Sequence, residues 1–483
     1  MLDVIPTLKN ADVSGGTVSL KACVSAPEEL CDAVRTLCDF ARRVHGIEIA
    51  REEGGISFCL GSDMAPESYE LRVDGEGARV IAADLLGAHN AAVTLVQLME
   101  RAEDGIALPE VSTVDIPDCS WRGVMIDLAR NWHESDMLYD YVDMCRFYKV
   151  KYLHLHFTDD QSFTLPMRAF PKLPTEGRSY SEAEIKDFLA YAKLRGVEVI
   201  PELDVPGHTR SLSEAYGELF GEDGLVCQSA ESMEGIRTIF GELCELFPDS
   251  NYIHIGGDEA QISKWTKCEK CMSAYRDMGY DVDNMEQREL EELMYGTFLK
   301  RVCEMVLSFG KTPVVWEGFA KEVNHLIPRE TVVASWENLY QTTPSLLEAG
   351  FRLINCSWVP MYVLAPDKHW SPREIYQWDP YYWRPCHSKS PYFGKDIRIE
   401  PTKQIEGGEL LAWGDHIIWA YANDIRKGVE EERRLVEERV GCLAENTWNV
   451  KKTCWDGFFF RAYVKARNMH EKLRENRTEG VVR

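Results

Sequence analysis

Beyond about residue 120 the chain alternates short apolar runs with stretches of helical period, and eight such runs can be counted. They fall at 122–129, 152–159, 197–204, 252–259, 312–318, 331–337, 352–359 and 409–416. A strand buried on both faces reads as a continuous apolar run, which is the pattern of a parallel sheet. Helical periods at 136–149, 181–195, 230–247 and 286–309 supply the crossovers between such strands. Eight strand–helix repeats in one stretch of chain predict a (β/α)8 TIM barrel. The fifth and sixth runs are joined by a short connection. The stretch 360–405 is long and rich in Trp, Tyr and Pro, and reads as a loop excursion over an active site. Amphipathic segments at 429–446 and 455–475 close the barrel.

Residues 1–118 read as a separate small α/β domain, which leaves 119–483 to the barrel. Residues 69–74 alternate like a strand and 78–83 form a second short strand. One helix is predicted near 27–45. Another spans 88–102, where Ala91, Val93, Leu95, Val96, Leu98 and Met99 recur at helical spacing. The segment 108–118 holds two prolines and no helical period, and reads as a linker.

Charge excludes some partners. With 54 basic and 79 acidic side chains the formal charge is −25, so nothing drives the chain towards nucleic acid or anionic lipid. No run of about 20 apolar residues is present, so no helix is predicted to span a membrane. The first residues lack a basic segment followed by an apolar one, and the 15 cysteines are odd in number. Both features predict a cytoplasmic protein. On that reading the sequons at Asn355 and Asn476 carry no meaning. Cys268 and Cys271 form one tight pair. A zinc site needs two more ligands, none occurs at comparable spacing, and no metal or cofactor is predicted. The oligomeric state stays open, a homodimer included.

Barrel enzymes carry their chemistry at the C-terminal ends of the strands. Here those ends bear Asp159, His208, the pair Asp258-Glu259, Trp316-Glu317, Trp336-Glu337, Trp358 with Tyr362 beyond it, and Trp413-Gly-Asp415. No phosphate-binding loop and no Gly-x-Ser-x-Gly turn appears. Aromatic faces with a few carboxylates suit a sugar, because rings cover its C–H faces and carboxylates accept its hydroxyl hydrogens. Asp258-Glu259 is the sharpest feature. Glycoside cleavage needs a proton on the leaving oxygen and an anion near the positive charge that develops at C1. Gly256 and Gly257 read as room for a ring to approach the backbone.

The run from His254 to Glu259 resembles the signature of the family 20 glycoside hydrolases, the β-N-acetylhexosaminidases. Residues 121–130, 153–161 and 204–209 resemble that family's first three strands, and the small first domain resembles its accessory domain. The resemblance implies retaining hydrolysis in which the substrate's own 2-acetamido oxygen attacks C1. Asp258 would hold the acetamido N–H, and Glu259 would act as general acid and then base. Arg122 would bind the 3- and 4-hydroxyls. Trp316, Trp336 and Trp413 would wall the site, and Tyr362 would donate to the acetamido oxygen. Asp159 and His208 would form a supporting polar pair.

Two departures from the family pattern stand out. Leu364 replaces an Asp that reaches the 6-hydroxyl, and Asp415 replaces a Glu that takes the 4-hydroxyl. The first brings in a 6-modified sugar, such as a sulfated one, and a disaccharide unit is a further substrate alternative. The second bears on the choice between GlcNAc and GalNAc. A catalytically silent sugar-binding barrel and a metal-dependent hydrolase built on His254, Asp258 and His208 are the remaining alternatives.

Overall fold

The computed structural model describes residues 2–366, 368–450, 455–459 and 463–477. Residues 460–462 of the predicted closing segment, and Thr478 of the second sequon, lie outside the described residues. The first unit is a seven-stranded sheet. Its strands are β1 (Asp12–Leu20), β2 (Val24–Ser25), β3 (Ile56–Leu60), β4 (Tyr69–Asp74), β5 (Gly77–Ala82), β6 (Glu100–Ala102) and β7 (Gly105–Asp115). They run in the order β1-β7-β4-β5-β3-β2, with β6 also on β7.

The segment expected to be a linker is therefore a strand. β7 is paired on both sides. Its Val111, Thr113 and Asp115 are buried in alternation with exposed neighbours. Pro109 is tolerated because β4 pairs with residues 111–115 and β6 with 105–107, so its missing N–H falls between the two ladders.

The helices Cys31–His45 and Leu85–Leu98 join this sheet to the rest of the molecule. Every residue from Gly87 to Leu98 is buried, as befits a helix covered by a sheet on one side and by barrel helices on the other. Asp84 caps its start by accepting the Gly87 N–H at 2.7 Å.

The barrel strands are β8 (Trp121–Asp127), β9 (Tyr152–His156), β10 (Glu198–Glu202), β11 (Tyr252–His254), β12 (Thr312–Trp316), β13 (Val332–Ser335) and β14 (Arg352–Asn355). The excursion before the last strand contains a hairpin, β15 (Tyr362–Leu364) with β16 (Lys368–His369), and a small pair, β17 (Tyr382–Trp383) with β18 (Ile397–Arg398). β19 (Ile405–Ala412) then pairs in parallel with both β14 and β8 and closes the ring. All eight strands are parallel. Most end earlier than their apolar runs, so Asp159, Asp258, Glu259, Trp336 and Trp413 stand on loops at the mouth. The fifth and sixth strands are joined by loop and a single 3-10 turn, Lys321–Val323. Asn355 of the first sequon is fully buried and donates to Pro380 and Tyr382 carbonyls.

The barrel interior carries charge. The Glu202 carboxylate takes His156 Nδ1 at 2.6 Å, His254 Nδ1 at 3.0 Å and Trp316 Nε1 at 2.6 Å. His154 stacks on His254 and binds Glu409 at 2.8 Å. A buried carboxylate survives there because every face of it is met by a donor.

Candidate active site

β8 ends at Asp127, and the chain turns so that Asp127 accepts the Arg130 backbone N–H at 2.9 Å. The second oxygen of Asp127 takes the Arg130 guanidinium at 3.0 Å and the Gly414 N–H at 3.0 Å. One carboxylate thus fixes Arg130 and the turn that carries Trp413. Arg130 also pairs with Asp159 at 2.7 Å, reaches Asp415 at 3.5 Å and lies over the Trp413 ring. Burial works against its charge, and the three carboxylates more than offset that, so the guanidinium stays cationic.

Asp258 and Glu259 follow β11 across Gly256 and Gly257. At Gly256 φ is +70° and a Cβ would sit 1.7 Å from Asp204 Oδ1. The glycine makes room for the Asp204 carboxylate rather than for a sugar ring, which corrects the sequence reading. Tyr295 Oη donates to the Gly257 carbonyl and anchors the turn. Burial raises the Asp204 pKa well above its ordinary value, and the Asp258 charge adds to this. Burial raises the Asp258 pKa as well, against the charge of His208, but the shift is stronger at Asp204, so we place the proton of this pair on Asp204 and the charge on Asp258. Asp258 Oδ1 is buried and has no hydrogen-bond partner among the described residues.

Glu259 is the more open of the two, with a side chain 57% exposed and a backbone φ of +44°. Burial raises its pKa, and the neighbouring Asp258 charge raises it further. His208 stands between the groups. Its Nδ1 is 3.4 Å from Asp159, and its Nε2 is 3.9 Å from Asp258 and 3.7 Å from Glu259. Burial disfavours the imidazolium, but the hydrogen bond and charge of Asp159, with the Asp258 charge, hold it protonated well above the usual histidine range.

The aromatic wall comes from three strand ends. Trp358 and Tyr362 stack with centroids 5.0 Å apart, and Trp336 and Trp413 flank them. Together with Arg130, His208, Asp258, Glu259, Leu364 and Asp415 they enclose a pocket of about 200 Å³.

Most residues predicted for the site converge here, and two do not. Arg122 opens β8 and lies at the other end of the barrel. It donates to the Lys149 and Cys119 carbonyls at 3.0 and 2.7 Å and pairs with Glu67 of the first unit. The arginine of the pocket is Arg130, eight residues on. Trp316 lies beneath the pocket, bonded to Glu202 and 5.7 Å from the Trp413 ring. His254 belongs to the barrel interior with His154 and Glu202, so the ligand set His254, Asp258 and His208 does not assemble. His208, Asp258 and Glu259 do come within 4.8 Å of one another.

The glutamates predicted at the fifth and sixth strand ends are loop anchors. Glu317 accepts backbone N–H groups from residues 337–341. Glu337 accepts those of Cys386 and His387 at 3.1 Å each. Sequence reasoning gave no role in the site to Arg130, Trp358 or His416, although all three stood inside segments it had singled out and Trp358 was placed at a strand end.

Carboxylates beside an aromatic wall, at the mouth that barrel enzymes use, place the protein among the barrel glycoside hydrolases. The model for the glycosyl hydrolase family 20 catalytic domain matches residues 119–450, and that for the same family's domain 2 matches residues 1–118. The chain therefore belongs to glycoside hydrolase family 20. A beta-hexosaminidase of Akkermansia muciniphila is 31% identical over 412 residues, 76% of this chain and 79% of that protein. One of Porphyromonas gingivalis is 28% identical over 65% of this chain, but over only 44% of its own length. Among solved structures, an exo β-N-acetylglucosaminidase of Vibrio harveyi bound to N-acetylglucosamine superposes with a TM-score of 0.78. It is 22% identical, and the match covers 98% of this chain and 77% of that one.

Proposed function

We propose that the enzyme is a retaining exo-β-N-acetylhexosaminidase that releases terminal β-GlcNAc or β-GalNAc by substrate assistance. The observation that carries this is the Asp258 oxygen, buried, unpartnered among the described residues, and beside a raised-pKa glutamic acid. A buried acceptor without a donor is costly, and an acetamido N–H would satisfy it. Held there, the acetamido oxygen attacks C1 from within the substrate, an arrangement worth effective molarities of about 10⁵–10⁸ M. The oxazolinium ion that forms is cationic and lies against the Asp258 charge. Glu259, protonated at the start, gives its proton to the leaving oxygen and then takes one from the incoming water. Arg130 presents its fork to the ring hydroxyls, with Asp415 beside it. Trp336, Trp358, Tyr362 and Trp413 cover the apolar faces. A pocket with room for one sugar residue supports exo action. The odd complement of cysteines favours a cytoplasmic setting.

The test is a substrate series with zero to three fluorines on the acetamido methyl. Fluorination weakens the acetamido nucleophile, so kcat should fall steadily along the series. Glu259→Gln should cost roughly 10²–10⁴-fold on substrates with poor leaving groups. A rate indifferent to fluorination, or an inverted product, overturns the reading.

One observation favours a second substrate. Leu364 lines the pocket where the family pattern has an acid, so no carboxylate at that position repels a substituent on O6. Faster hydrolysis of 6-sulfated than of plain GlcNAc glycosides would establish it, and equal or slower hydrolysis would exclude it.

A further inference from the structure

Next to the catalytic loop, but outside the pocket, the fold gathers three cysteines. Cys268 and Cys271 sit at the start of the helix Glu269–Asp277. Cys227 comes from the loop after the helix Arg210–Phe220, in the preceding strand–helix repeat. Their sulfur atoms all lie within 4.8 Å of one another, and Cys227 Sγ is 3.7 Å from Cys271 Sγ, 44 positions away in the chain. Zn–S bonds of about 2.3 Å at tetrahedral angles set sulfurs about 3.8 Å apart, so this pair already has the spacing of two thiolates on one ion. The Gln228 backbone N–H points at Cys271 Sγ at 3.3 Å, the kind of outer contact that supports a metal-bound thiolate. Cys227 and Cys271 are buried and Cys268 is half-buried, which leaves one side open for an ion to enter.

We propose that Cys227, Cys268 and Cys271 bind a thiophilic divalent cation of the zinc class, with a small exogenous ligand in the fourth position. Three sulfur donors select such an ion over magnesium or calcium. The site cross-links the loop after the third barrel strand to the loop after the fourth, and the latter leaves the barrel at Asp258-Glu259. Existing contacts follow the same line. Trp265 Nε1 donates to the Val226 carbonyl at 2.8 Å and Lys264 Nζ to that of Asp223 at 2.8 Å. The ion is structural: it touches no group of the pocket, and its binding does not depend on the substrate proposed above. The sequence hid it because the third thiol lies a whole strand–helix repeat before the Cys268-x-x-Cys271 pair.

The experiment is metal analysis of the purified full chain, followed by exchange into cobalt(II). We expect about one zinc per chain. The cobalt form should show a strong thiolate-to-cobalt charge-transfer band with tetrahedral visible bands. Cys271→Ser should lose both, and the control Cys59→Ser should keep them. Should Cys271→Ser fail to fold, mass-mapped alkylation of the wild type decides. Protection of these three thiols by bound metal, lifted by chelation, supports the site. Absence of bound metal with all three thiols freely alkylated, or a Cys227–Cys271 disulfide, overturns it.

Discussion

The two ends of β8 each carry an arginine amid carboxylates, and they do different work. At the N-terminal end each nitrogen of Arg122 is engaged. Two carbonyls and the Glu67 carboxylate take its donors, and Lys151 shares Glu67 at 2.7 Å. At the C-terminal end Arg130 is held by Asp127 and Asp159 but keeps an edge on the pocket. A buried ion pair whose arginine is already bonded through each nitrogen has little left for a ligand. An arginine steered by carboxylates on one side only can still bind one. The residue type and the strand are shared, and strand direction separates a structural pair from an arginine that faces the pocket.

This contrast can be broken by substitution. The largest effect is expected at the bottom of the barrel. Arg122→Met leaves Glu67 buried beside a single lysine and should cost about 3–5 kcal/mol of unfolding free energy. Its kcat/KM, measured on folded protein, should stay within about twofold of wild type, since each tenfold loss needs about 1.4 kcal/mol at the transition state. A loss of turnover without a loss of urea stability would place Arg122 in the site after all.

Arg130→Lys keeps a charge for Asp127 and Asp159 but loses the planar fork. It should lower kcat/KM roughly 10²-fold, about 2.7 kcal/mol, with little change in melting temperature. The double variant Glu67→Gln/Arg122→Met removes both buried charges. It should recover at least about half of the Arg122→Met loss, because the penalty is chiefly that of an unpaired charge.

The smallest effect is pH dependence, which has opposite sign at the two ends. Burial raises the Glu67 pKa, but Arg122 and Lys151 outweigh it and hold it below its ordinary value. Its contribution to stability is full above the unfolded pKa of about 4.5 and is lost as pH falls through the lower folded value. Melting temperature should therefore drop on acidification more in wild type than in Glu67→Gln. Glu259 is shifted upward, and kcat/KM should fall as pH rises through its pKa, a limb that Arg122→Met leaves in place.

The barrel was legible because its strands are buried on both faces, and burial writes itself as apolar runs. The carboxylate pair at the mouth was legible because Asp258-Glu259 is contiguous and follows such a run. What escaped was set by direction and by distance. Strand periodicity does not say that Arg122 and Arg130 face opposite ends, nor that Trp316 turns inward to Glu202. β7 passed for a linker because Pro109 within it and Pro117 just beyond it outweighed an alternation of buried Val111, Thr113 and Asp115. Glu317 and Glu337 look like sugar ligands in sequence, and only the folded loops show their lone pairs taken by backbone N–H groups. Cys227 meets its partners through a contact that no local spacing encodes.

β8 also acts as a ruler. Its seven residues, at about 3.3 Å each, set some 23 Å between the floor that grips Glu67 and the mouth where Arg130 waits. No side chain spans that length. Through its grip on Arg122 the small domain therefore does not reach the pocket. It can raise or lower the fraction of chains that stand ready, and exchanging it should alter how long the enzyme lasts while leaving what it chooses untouched.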